Sequence, residues 1–188
     1  MAHYRRRDVL ATLGTTALAA ALPRVLLFAQ APSPVMLTLS SYMAGAATAS
    51  LPADALEHAK LHVLDTFAAM VSGSALPPGK AALTFARAQA GNGSATVVAS
   101  TLLCGPIEAA LANGVLAHSD ETDDSHGESQ SHPGASVVAA SLAAGEAFGI
   151  SGMRFLRAVA LGYDVGPRVT MALGGVEFRN ESHKSTHA

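Results

Sequence analysis

A mostly α domain is the fold this sequence predicts, and three observations carry the prediction. Hydrophobic residues make up 49% of the 188 positions and charged residues 14%, enough apolar surface to bury a core. Trp is absent and aromatics supply only 5%, a palette of Ala, Leu and Gly that suits close helix contacts better than a β-sandwich. Apolar residues also recur at helical spacing in runs divided by short Pro, Gly and polar breaks.

Taken in order, the first segment reads as an address. In "YRRRDVLATLGTTALAAALPRVLLFAQA" a basic start precedes an apolar run from Val9 to Leu22 and an A-x-A end at Ala29–Ala31, the layout of an export signal over residues 1–31. Arg6 and Arg7 ahead of Asp8-Val9-Leu10 resemble the twin-arginine signal, so a periplasmic or exported location is expected, whereas a wrongly assigned start codon would leave a cytoplasmic protein. Pro23 and Arg24 interrupt the run below the roughly 20 residues a membrane span needs, so no stable membrane insertion is expected after signal removal. Residues 32–36, with Pro32 and Pro34, read as a linker.

Leu51-Pro52-Ala53-Asp54 opens a helix on which Leu61, Leu64, Ala68 and Val71 recur until Ser72-Gly73 ends it. His58 and His62 stand four apart on it, but no glutamate follows the first in the metalloprotease order, and both read as surface or partly buried histidines. Pro77-Pro78-Gly79 predicts a turn, Ala81–Ala90 a small helix and Ala95–Ala99 a short extended piece. "PIEAALANGVLAH" begins with Pro at its first helical position, and its stripes Ala109/Asn113/Ala117 and Ala110/Gly114/His118 invite close approach by a neighbouring backbone. After Pro133-Gly134, "ASVVAASLAAGEAFG" is small and apolar nearly throughout, as a mostly buried helix requires. A last helix, Ser151 to Leu173, has Ser151 as its cap and Phe155, Ala158, Val159, Gly162 and Val165 on one face, with a kink or break at Gly166-Pro167.

Between two of these apolar helices lies "LAHSDETDDSHGESQSHPG", with three histidines and five carboxylates. The order His118, Asp120, Glu121, Asp123, Asp124, His126, Glu128, His132 lacks the alternation and central Gly of a calcium loop, and no metal site is expected from it. Carboxylates packed beside imidazoles suit acid-base work, and a polar loop clamped between apolar helices is where a pocket floor lies. A wet, purely structural loop remains open on composition alone, as does an exported protein that captures a metal or hydroxy acid without turning it over. Cys104, the only cysteine, excludes an internal disulfide and reads as a buried thiol. Net charge is −2, and beyond residue 31 the chain carries 8 Lys and Arg against 13 Asp and Glu, so nucleic acid is not an expected partner.

From about Leu37 onward the chain resembles the N-terminal domain of the MmgE/PrpD family. The resemblance is carried by "A-N-G" with "A-H" at a helix end, by "D-D" followed by a hydroxyl residue and His, by "H-P-G", and by "G-Y-D-V" in the last helix. It implies an all-α, helical bundle-like domain joined to a smaller α+β domain that this chain lacks, a catalytic site between them, no metal or organic cofactor, and a homodimer when full length. Family chains run to more than twice this length, so an N-terminal fragment, inactive by itself, is expected. The resemblance also implies a lyase of a small di- or tricarboxylic acid, of dehydratase or decarboxylase type, or an epimerase. Carried over by position, Glu121 takes the place of an active-site aspartate, Ser125 of a threonine and His132 of the histidine before proline. Catalytic roles are thereby implied for His132, Glu121 and Ser125, and for a second family histidine in "ESHKSTHA" that falls on His187 or on His183; substrate contacts are implied for Asp124, His126, His183 and Lys184. Glu in place of Asp at 121 lengthens that side chain by one methylene and departs from the family pattern.

Overall fold

The structure is a computed structural model that describes residues 31–174, 176, 177 and 180. The segment read as an export signal therefore lies outside the described residues but for Ala31, and so do His183, Lys184 and His187. The chain divides into two compact units, one ending at Ser41 and the other beginning at Tyr42. In the first, helix α1 (Pro34–Gly45) starts inside the stretch read as a linker, and Val35, Met36 and Leu37 are exposed on it.

The second unit holds α2 (Ala53–Gly73), α3 (Pro77–Gln89), β1 (Ala95–Thr96), β2 (Leu103–Cys104), α4 (Pro106–His118), α5 (Pro133–Phe148) and α6 (Gly152–Ala172). It is helical as expected, with one two-stranded antiparallel ladder that pairs Ala95 with Cys104 and Thr96 with Leu103. Pro77-Pro78-Gly79 is not a separate turn: both prolines occupy the first turn of α3, where a missing N–H costs nothing. Gly166-Pro167 does not break α6 either, and the helix runs through it. Pro167 withholds an N–H from the carbonyl of Tyr163 one turn earlier, a local loss that packing of the helix overrides.

Two apolar clusters form the core. The larger gathers Met70 of α2, Ala86 of α3, Val97, Cys104 and the Ala112–Leu116 face of α4 against Ala139 and Ala143 of α5. The smaller joins Ala59, Val138 and Val159 from α2, α5 and α6. Cys104 is fully buried, donates to the Ala86 carbonyl, and has its thiol pushed up by burial and by nearby Glu108. On α2 the stripe of Leu61, Leu64 and Val71 is 60%, 68% and 57% exposed; the helix buries the face through Ala59, Thr66, Ala69 and Met70 instead. Small residues let α5 lie closer than large ones would, and the spacing rule alone could not choose between the two faces.

The expected close approach along α4 is present. A Cβ on Gly114 would lie 3.1 Å from the Ala135 carbonyl of α5. Buried Asn113 accepts from the Val98 N–H and donates to the Thr96 carbonyl, each at 2.9 Å, and so pins the strand pair to α4. Glu146 of α5 holds the same pair by accepting from the Thr96 N–H and hydroxyl, both at 2.6 Å. With both helices tied to one small ladder, the C-terminal end of α4 and the N-terminal end of α5 come together around the acidic loop.

Candidate active site

His118 closes α4 and His132 precedes Pro133 at the start of α5, so each histidine sits at the fixed end of a packed helix. Their rings are 5.0 Å apart, tilted by 57°. Between them lies the carboxylate of Asp123, whose side chain is wholly buried. His118 Nδ1 is 3.1 and 3.0 Å from its two oxygens. His132 Nδ1 is 3.7 Å from Oδ1 and 3.0 Å from the main-chain oxygen of Asp124. A buried carboxylate with no Lys or Arg contact among the described residues needs such imidazole partners to offset its desolvation.

Asp124, the second acid of the pair, faces away into a different set of bonds. Its Oδ1 accepts from the Gly134 N–H at 2.9 Å, capping the first turn of α5 from a distance, and its Oδ2 accepts from the Tyr163 hydroxyl at 2.6 Å. His62 stacks on Tyr163 with ring centroids 4.0 Å apart and brings Nδ1 within 3.4 Å of the same oxygen. Burial, reinforced by the Asp124 bond, pushes the Tyr163 hydroxyl well above the usual phenol range, so it stays a donor. Gly134 is required here: a Cβ would meet Thr66 Oγ1 at 2.5 Å, Asp124 Oδ1 at 2.6 Å and the Tyr163 hydroxyl at 2.9 Å.

The rest of the loop is held by local bonds. Asp120 accepts from Ser72 at the end of α2 and from the Thr122 hydroxyl at 2.6 Å. Those bonds, Ser72 first, hold its carboxyl below the usual range. His126 pairs with Ser131 across a tight turn, and its Nδ1 accepts from the Ser129 N–H at 3.2 Å, with the Ser129 hydroxyl 2.9 Å away. One ring nitrogen of His126 is thus committed inside the loop.

The structure therefore brings His132 together with Asp123 and His118, and Asp124 with Tyr163 and His62. It does not bring Glu121 to His132. Glu121 is exposed with φ of 56°, turning the chain outward, and among the described residues its side chain has no hydrogen bond. Asp123, two residues on, is the acid nearest the two rings, bonded to His118 and 3.7 Å from His132 Nδ1. Ser125 is exposed on the same loop. Asp123, His118, His62 and Tyr163 were missed as site residues; "D-D", "A-H" and "G-Y-D-V" mark three of them in sequence, and only the spacing from His58 singles out His62.

An open groove of about 350 Å³ runs from the two histidines along the α4–α5 seam, floored by Ala110, Gly114 and Ala135 and walled by Leu111 and Val115. His118, Asp123 and His132 offer donor atoms within 4.8 Å of one another, a set that could hold a divalent ion. The His132 nitrogen nearest Asp123 already donates to a carbonyl, however, so cation binding there would first have to break that bond. The arrangement as it stands suits proton transfer at the mouth of an apolar groove.

Residues 37–188 match the model of the MmgE/PrpD N-terminal domain. The chain belongs to the MmgE/PrpD family. A cis-aconitate decarboxylase of Aspergillus terreus (strain NIH 2624 / FGSC A1156) is 29% identical over 155 residues, covering 80% of this chain and 32% of that protein. A second cis-aconitate decarboxylase of Aspergillus terreus is 30% identical over 139 residues, or 71% of this chain and 28% of the relative. A cis-aconitate decarboxylase-like protein of Aspergillus oryzae (strain ATCC 42149 / RIB 40) is 31% identical over 134 residues, 68% of this chain and 28% of the relative. The chain spans about a third of the length of these curated relatives. Lyase-type relatives and a helical N-terminal domain thus accompany a site built from imidazoles and carboxylates.

Proposed function

We propose that the protein of which this chain is part is a lyase acting beside a carboxylate of a small di- or tricarboxylic acid, with His132 as the group that moves the proton. The observation that carries the reading is His132 itself, at the end of a rigid helix, hydrogen-bonded through Nδ1 and open to the groove on the α4–α5 seam. Taking a proton from carbon next to a carboxylate calls for a positioned base, and expelling hydroxide or carbon dioxide calls for an acid and for cations over the developing charge. In the decarboxylation form, the C–CO2 bond breaks, its electron pair stays on carbon, and the His132 imidazolium returns a proton there. In the dehydration form, His132 removes the C–H proton and hydroxide leaves with a proton from a second acid. No cofactor enters the proposal.

Among the described residues no Lys or Arg lines the groove. Cations for a polyanionic substrate are therefore assigned to His183, Lys184 and His187, and to chain of the kind the longer relatives possess. Glu121 and Ser125, exposed on the loop, are proposed to face substrate, while Asp124 and His126 shape the loop that presents them. Export by the twin-arginine route and a full-length homodimer belong to the same proposal, the first resting on Arg6-Arg7 and the A-x-A end. Among the described residues no helix is long and apolar enough to cross a membrane.

The test is deuterium exchange from solvent into a panel of di- and tricarboxylic acids, cis-aconitate included, by the full-length protein. Exchange or turnover with at least one acid, lost in His132→Ala, is the expected result. No exchange into any acid, or undiminished turnover in the variant, would refute the reading.

A further inference from the structure

We infer that Tyr163 is a positioning residue which, acting through Asp124, keeps His132 in the tautomer with its proton on Nδ1 and so leaves Nε2 as the nitrogen offered to the groove. A carbonyl oxygen only accepts, so the 3.0 Å contact between His132 Nδ1 and the Asp124 main-chain oxygen requires the proton to sit on Nδ1. In a neutral imidazole the other nitrogen then carries the free lone pair. What fixes the tautomer is thus whatever fixes that carbonyl.

No helix or strand ladder does so, because residues 119–125 lie in neither. The anchors are side-chain bonds of Asp124 itself. Its Oδ1 is held by the Gly134 N–H at 2.9 Å and its Oδ2 by the Tyr163 hydroxyl at 2.6 Å, so both oxygens are tied to separate helices, α5 and α6. His62 of α2 stacks on the Tyr163 ring and keeps the phenol aimed at the carboxylate. Tyr163 has no hydrogen bond to His132 among the described residues, and its influence runs through one residue. Asp123 cannot substitute for this clamp, since it lies 3.7 Å from His132 Nδ1 and closer to His118.

The inference rests on the proposed use of His132 as a base, yet it can be tested without substrate. Long-range 15N imidazole NMR on the full chain at mildly alkaline pH reports which ring nitrogen carries the proton, with His132→Gln assigning the signal. In the wild type, His132 Nδ1 is expected as the protonated nitrogen and Nε2 as the bare one. In Tyr163→Phe, which keeps the ring and the His62 stack, the two signals are expected to move toward each other as the tautomers mix. Turnover of the full-length enzyme should then fall about tenfold or more in kcat, within the range that general-base catalysis contributes, with KM little changed. A His132 pattern identical in wild type and Tyr163→Phe overturns the inference. So does a wild-type pattern with the proton on Nε2, a result that needs no variant to fold. An inactive wild type with the expected tautomer shift would instead refute the proposed function and leave the positioning role standing.

Discussion

Gly134→Ala tests the packing around the Asp124 clamp with a single methyl group. The new Cβ would sit 2.5 Å from Thr66 Oγ1, 2.6 Å from Asp124 Oδ1 and 2.9 Å from the Tyr163 hydroxyl, all inside van der Waals contact. None of these atoms has an easy retreat: Thr66 is fully buried, Asp124 is bonded at both oxygens, and Tyr163 is stacked on His62. Overpacking of this kind costs about 1–3 kcal/mol. Displacing the Tyr163 hydroxyl from Asp124 adds about 1–3 kcal/mol for partners left unsatisfied in a partly buried place. Against that stands the better helix propensity of Ala, about 1 kcal/mol in favour of the variant. The balance is a loss of about 1–5 kcal/mol, or a Tm lower by roughly 3–20 °C for a domain of this size. Calorimetry or a circular dichroism melt reads it directly. A Tm within error of the wild type would mean that the helices do not converge on residue 134 as closely as described, and the account of the site would fall with it.

Three further outcomes follow from single contacts. The Asp164 carboxyl accepts from the Tyr42 hydroxyl at 2.5 Å and from Arg168 at 2.7 Å; the first, then the second, hold it below the usual carboxylate range. A depressed carboxyl contributes stability above its unfolded value of about 3.9 and loses it as pH falls through the lower folded value. Tyr42→Phe should therefore be less stable than wild type at neutral pH, with the gap closing in acid; a gap independent of pH in urea titrations would contradict this. The Cys104 thiol, buried and pushed up, should resist a thiol reagent in the native protein and react once denaturant is added, whereas free-thiol rates in the folded state would place it at the surface. Glu121→Gly removes a side chain from a residue at positive φ, relieving about 1 kcal/mol of backbone strain, so the fold should be as stable or slightly more so. Marked destabilisation in a melt would give Glu121 a structural contact that the described residues do not show.

Helix existence was legible in the sequence wherever Pro and a periodic apolar run coincided. "PIEAALANGVLAH" spans α4, and Pro133 and Ser151 mark the starts of α5 and α6. The polar loop between α4 and α5 was legible for the same reason, because five carboxylates cannot enter an apolar helix pair without partners. Local rules faltered where a residue has two uses. Pro77-Pro78-Gly79 can bend a chain or begin a helix, and Pro167 can end one or be carried by packing, and neighbours far in sequence decided both. The buried face of α2 was likewise settled by the small residues that meet it, leaving Leu61 and Leu64 outside.

At the site, residue types and the loop that carries them were legible in the sequence alone. Partnership was decided only in three dimensions. Two adjacent aspartates are alike in sequence, yet Asp123 points to His118 and His132 while Asp124 points to Tyr163 and the first turn of α5. Successive side chains in an irregular loop leave the backbone in different directions, and which helix waits in each direction is a property of the packed bundle. His62 and Tyr163, 101 positions apart, meet on Asp124 because α2 and α6 pack directly on one another.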